Sequence, residues 1–188
     1  MRPLAATATL FCLAGFAAVS STDYLNAKKK FQAIDKQIVK AGSKVAVTAH
    51  ELNAYVQTEL PKVAPVGIRD PNVELVGNNI ATGKVMVDFL KLRSARGKSI
   101  SWIMRKLFEG EREVEVTARV SSGYGKATVH IDRVEVSGIP IEGTALDFLI
   151  NNYLIPNYPE AKIGRPFELH KRVDRIEVSP GVAYVFTR

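Results

Sequence analysis

The sequence predicts an α+β fold: a curved antiparallel β-sheet wrapping one or two amphipathic helices. Three observations lead there. Runs of alternating apolar and polar residues are joined by short turns rich in Gly, Asn and Pro. Two segments carry a helix-capping signal followed by a single apolar face. One strand slips phase by a residue, the mark of a β-bulge, and a bulge bends a sheet. Hydrophobic residues make up 46% of the 188 and charged residues 24%, a balance that supports one globular core.

Residues 1–20 stand apart. Between Arg2 and Asp23 there is no charged residue, and Ala18-Val19-Ser20 offers a small-x-small exit. This pattern fits a cleaved secretory signal. The uncharged run is also long enough for a retained membrane anchor. Cys12 is the only cysteine, so cleavage leaves a chain with no thiol for a disulfide, a nucleophile or a metal. It also leaves 25 basic against 19 acidic residues, a net +6. For an exported chain that charge points to anionic lipid or cell-wall polymers rather than nucleic acid. The expected location is periplasmic or secreted, or on the inner membrane if the N-terminal segment stays.

Residues 21–43 read as a basic amphipathic helix, with Tyr24, Ala27, Phe31, Ile34 and Ile38 on a narrow stripe and Lys28, Lys29 and Lys30 elsewhere around the turn. It suits a stalk or a helix laid on the domain. The domain proper is expected over 44–188. Lys44–Val47 alternates as a short strand. Thr48 and Glu51 then spell a capping box, with Val47 and Leu52 as its hydrophobic staple. Leu52, Tyr55, Val56 and Leu60 form one helical face, and Pro61 is expected to end the helix. His50 and Asn53 fall off that face, toward water.

A hairpin follows, turning at Asn78-Asn79, because Asn tolerates positive φ. Val85, Val87 and Phe89 are its apolar side. Residues 99–108, "SISWIMRKLF", interrupt the strands. Trp102 with Arg93, Arg96, Lys98, Arg105 and Lys106 has the composition of a segment that meets lipid headgroups. Packing of this segment inward is the alternative. Strands resume as "EREVEVTARV" and "KATVHIDRVEV", where the phase slips between Ile131 and Val134. Thr144 and Asp147 suggest a second cap, opening a helix whose face is Leu146, Leu149, Ile150, Tyr153 and Leu154. A hairpin turning at Pro180-Gly181 closes the chain.

Catalytic patterns are scarce. His50, His130 and His170 have no metal-ligand spacing. Ser137-Gly138 lacks the preceding glycine of a nucleophile elbow. Glu111, Glu113 and Glu115 share one strand face, which reads as solvated. The expectation is a non-enzyme with no cofactor and no metal.

The capped helix with Glu51-Leu52-Asn53, "SGIPI" at 137–141 and "SPG" at 179–181 resembles small secreted or membrane-anchored bacterial proteins of the tubular lipid-binding (TULIP-like) group. The resemblance spans most of residues 45–188. It implies a curved sheet around a helix, an apolar tunnel for lipid chains and no catalytic residues. Leu52, Tyr55, Val56, Leu60, Val85, Val87, Phe89, Leu146, Leu149, Ile150 and Tyr153 would then line the cavity. The chain is short for a full tunnel. A cystatin-like envelope module with a solid core, binding a protein partner, is the alternative.

Overall fold

A computed structural model describes residues 21–93, 109–155 and 163–188. The chain is α+β, with antiparallel sheets on which the helices pack. Helix α1 spans Ser21–Asp35, strand β1 Lys44–Thr48 and helix α2 Ala49–Val63. Strands β2 (Ile68–Gly77) and β3 (Ile80–Asp88) form the predicted hairpin. Helix α3 (Phe89–Arg93) follows, so Phe89 begins a helical turn instead of ending the strand. Strands β4 (Glu111–Gly123) and β5 (Lys126–Val136) come next, then β6 (Ile139–Pro140) and helix α4 (Gly143–Leu149). A π-helical turn, Ile150–Leu154, extends α4, and β7 (Phe167–Glu168), β8 (Val173–Ser179) and β9 (Val182–Thr187) complete the chain.

The strands divide between two sheets. Six of them run β2-β3-β4-β5-β6, with β7 also paired to β5, and three run β1-β9-β8. The phase slip is a bulge: Thr117 faces Arg133 and Ala118 faces Ile131, so Asp132 is the extra residue. Arg119 reaches across to it at 3.1 Å. A second bulge carries Asp70 at φ 51 beside Pro71, on the edge strand β2, where a missing N–H is tolerated.

Side chains stitch the small sheet to the large one. Asn79, in the β2–β3 turn at φ 61, accepts from the Val178 N–H at 2.9 Å, while its own N–H donates to the Val178 carbonyl. Ser122 on β4 does the same for Ile176, at 2.8 and 2.7 Å. The edge of β8 is thereby capped by polar groups of its neighbours, which removes an open pairing surface.

Two apolar clusters result. One joins Val87, Phe89, Val134, Val136, Ile141 and Leu149, where α4 lies on the large sheet. The other joins Ile34, Val173 and Val185, where α1 lies on the small one. The basic helix is therefore packed on the body of the protein, burying Ala27 and Ile34. Ile38 of its predicted stripe stays 72% exposed, because the helix ends at Asp35 and Gln37 takes φ 60.

Three local expectations need correction. Pro61 sits inside the last turn of α2 rather than ending it. One ring costs one N–H there, and the Ala64 N–H still closes onto Leu60. Thr144 does not cap α4: the helix starts two residues earlier than that cap implies, at Gly143 after Glu142, with no side-chain cap bond. Asn53 does not face water. Its amide donates to the carbonyls of Ala49 (2.9 Å) and Val73 (2.7 Å) and accepts from the Val73 N–H (2.7 Å). It stands in for a strand beside β2. Asn53→Ala should lower stability by about 2 kcal/mol, since it strands a partly buried donor and acceptor. Urea unfolding checks this, and Asn53→Asp should be at least as damaging, because it turns a carboxylate oxygen toward the carbonyls of Ala49 and Val73.

Candidate apolar ligand groove

Helices α1 and α2 run antiparallel. The Tyr24 hydroxyl donates to Glu59 at 2.6 Å near one end, and the Lys30 ammonium meets both Glu51 oxygens at 2.7 Å near the other. Between these pairs Tyr55 stacks on Tyr24, with ring centroids 6.2 Å apart, and takes Phe31 edge-on at 4.7 Å. Tyr55 of the apolar face of α2 is thus spent on α1, and α2 also packs on β2. Leu52, Tyr55, Val56 and Leu60 are each half-buried.

Val85, Val87, Phe89, Leu146 and Leu149 belong instead to the cluster under α4. The two halves of the predicted cavity wall therefore sit in different packing groups. Ile150 is half-buried in the π turn. The side chains of Tyr153 and Arg93 lie outside the described residues, as do Arg96, Lys98, Trp102, Arg105 and Lys106.

A different surface forms a groove. The C-terminal half of α1 bridges the small sheet incompletely, leaving an open, almost wholly apolar cleft of about 300 Å³. Phe31 and Ile34 supply one wall, and Leu169, Val173, Ile176 and Val185 the other. Register explains the second wall. Val45, Val185 and Ile176 are cross-strand partners, so all three emerge on the face that meets α1. On the opposite face Lys44 lies 3.6 Å from the Tyr184 ring centre, and the Arg175 guanidinium 3.7 Å from that of Phe186. Those contacts cover the outer aromatics with cations.

The groove's rim is polar. His170 Nε2 approaches Asp35 at 3.2 Å, tying the β7–β8 connection to the end of α1. The segment after α1 is pinned too. Thr187 donates its hydroxyl to the Lys40 carbonyl at 2.7 Å, and Arg172 reaches the Val39 carbonyl at 3.3 Å. The groove is thus held open between anchored elements.

The same half of α1 is tied to α2 by Glu51, through Lys30. This carboxylate is only 6% exposed. Burial pushes its pKa up, but the Lys30 ammonium and the Thr48 N–H and hydroxyl outweigh that and hold it below the usual carboxylate range. The predicted capping box is present, with Glu51 N–H to Thr48 at 3.2 Å and Thr48 N–H to Glu51 at 2.9 Å.

A second cleft, of about 330 Å³, lies beside α4. It mixes Ile131, Val134, Ile141 and Leu146 with Asp132, Arg133 and Glu142. Among the described residues, no cluster of three or more His, Cys, Asp or Glu is placed to hold a metal. His130 is exposed, and Glu111 and Glu115 are paired with Arg69 and Lys84.

Sequence reading had Phe31 and Ile34 on the α1 stripe but not their opposite wall. The signal was the alternation in "VDRIEVS" facing that in "VAYVFT". The chain matches no protein-family model, no curated protein and no solved structure.

Proposed function

We propose that this is a non-catalytic protein of the cell envelope that holds a single-chain amphiphile, such as a long-chain fatty acid, between α1 and the small sheet. One observation carries the reading: an open groove of about 300 Å³ walled by six apolar side chains. That volume is at the small end of ligand pockets, which suits one slender chain. The headgroup would lie at the rim, where His170 is exposed and Lys171 and Arg172 follow it. The uncharged N-terminal stretch supports export.

Native mass spectrometry of the gently purified protein, with titration of a fluorescent long-chain fatty acid, is the test. Saturable binding is expected, weakened roughly tenfold by Leu169→Trp, which fills the groove. No co-purified lipid and no saturable binding in the wild type would sink the proposal.

The mixed cleft beside α4 favours a second reading, a protein-interaction module. Co-purification of a protein abolished by Arg133→Glu, at an exposed side chain of that cleft, with fatty-acid binding absent, would promote it.

A further inference from the structure

We propose that one end of the molecule, distinct from the groove, rests on a lipid bilayer through inserted apolar side chains. The end is assembled by three contacts. Tyr24, in the first turn of α1, is bonded to Glu59 in α2, which is itself paired with Lys62 at 3.0 Å. The turn after α2 is bonded to the start of α3, the Gly67 carbonyl accepting the Asp88 N–H at 2.7 Å. A Cβ on Gly67 would lie 3.1 Å from that of Lys91. The beginning of α1, the end of α2 and the beginning of α3 thus adjoin.

Four of the nine large apolar residues exposed among the described ones gather on these elements: Leu25 (50%), Val63 (75%), Val66 (79%) and Leu90 (56%). Isolated exposed apolar side chains are ordinary, but a cluster at one end marks a contact surface. The chain itself says what covers it. Residues 3–20 carry no charge and lead directly into α1 at this end. About eighteen such residues suffice to enter or cross a bilayer core. While they are in the membrane, the first turn of α1 is held at its surface, and Val63 and Val66 with it.

Charge sets the mode of attachment. Lys62 is paired with Glu59, Lys91 with Asp88 at 3.0 Å, and Arg69 with Glu111 at 2.5 Å and with Asp70. Among the described residues these three cations are each neutralised by a neighbouring carboxylate, so they form no polybasic patch. Attachment rests on apolar burial, with the lysine stems lying along the interface.

The test uses the full chain in phosphatidylcholine vesicles, with Cys12→Ser and a single environment-sensitive label at Val66→Cys. Tyr124→Cys, in the 94% exposed turn between β4 and β5, is the control. The label at 66 is expected to shift to the blue and be quenched by nitroxide lipids, with little change on raising salt. The label at 124 should do neither. Val63→Asp with Val66→Asp should weaken vesicle partitioning of the full chain roughly tenfold. Both sites are exposed, so thermal unfolding and fatty-acid binding in the groove should be unchanged. That separates this surface from the groove proposal.

Equal exposure of both labels to water overturns the proposal. So does protection that requires anionic lipid and vanishes in salt, which would assign the contact to charge. Protection of position 66 without lipid, at the mass of two chains, would assign this end to self-association.

Discussion

Glu51→Ala lowers the free energy of unfolding by about 3 kcal/mol, measured by urea titration. Two losses combine. The first is the capping box on α2. Its worth alone is read from Thr48→Ala, expected to cost about 1 kcal/mol. The second is the partner of Lys30, the ion pair that joins α1 to α2 at 2.7 Å. Breaking a buried pair costs roughly 3–5 kcal/mol. Lys30 keeps a third of its side chain in water, so its share here is smaller.

The same residue makes stability depend on pH. The folded Glu51 carboxyl titrates below its unfolded value. Its contribution is therefore fully present above the unfolded pKa, roughly 4.3. It is lost as pH falls through the lower, folded value. Wild type and Glu51→Gln should accordingly differ by a constant amount from pH 7 to about 5 and converge in stronger acid. A gap that does not narrow would mean that the charge of Glu51 is not what holds α1 to α2.

Gly77→Ala also costs about 3 kcal/mol. Gly77 adopts φ +110, a region that side-chain-bearing residues rarely enter. An added Cβ would lie 2.8 Å from Cδ and 2.9 Å from Cγ of Pro180. Pro180 belongs to the β8–β9 turn, whose Gly181 bonds to Leu75 and Ala49. Neither side can retreat without opening the junction between the two sheets. For a chain of this size the loss corresponds to a melting temperature about 6–12 °C lower. Gly83→Ala, with open space around its Cβ, should move it far less. Adding Pro180→Ala to Gly77→Ala should relieve the steric part and leave the backbone part, so the double variant should melt between Gly77→Ala and wild type.

Much of the local structure was legible in residue order. Thr48 and Glu51 announced the start of α2 because capping partners lie three residues apart and need nothing distant. Asn78 and Asn79 announced the hairpin because the turn requires positive φ at both. The slip between Ile131 and Val134 announced the bulge because strand periodicity is strictly two.

What order alone did not decide was which apolar face meets which. The stripe of Tyr55 could face a sheet or a helix with equal chemistry. Only the fold put it against Tyr24 and Phe31 of α1. Asn53 has the same polarity whether it meets water or the backbone of Val73, and tertiary contact chose the backbone. The groove has the same origin. Phe31 and Ile34 stand more than 130 residues from Leu169, Val173, Ile176 and Val185 in the chain. Hydrophobic burial is non-directional, so each stripe states that it will be covered without naming its partner. Caps, turns and bulges came from the sequence because their partners are local. The pairing of α1 with the small sheet came from the tertiary structure, because strand register and the ties at Asn79, Ser122 and Thr187 settled which faces could meet.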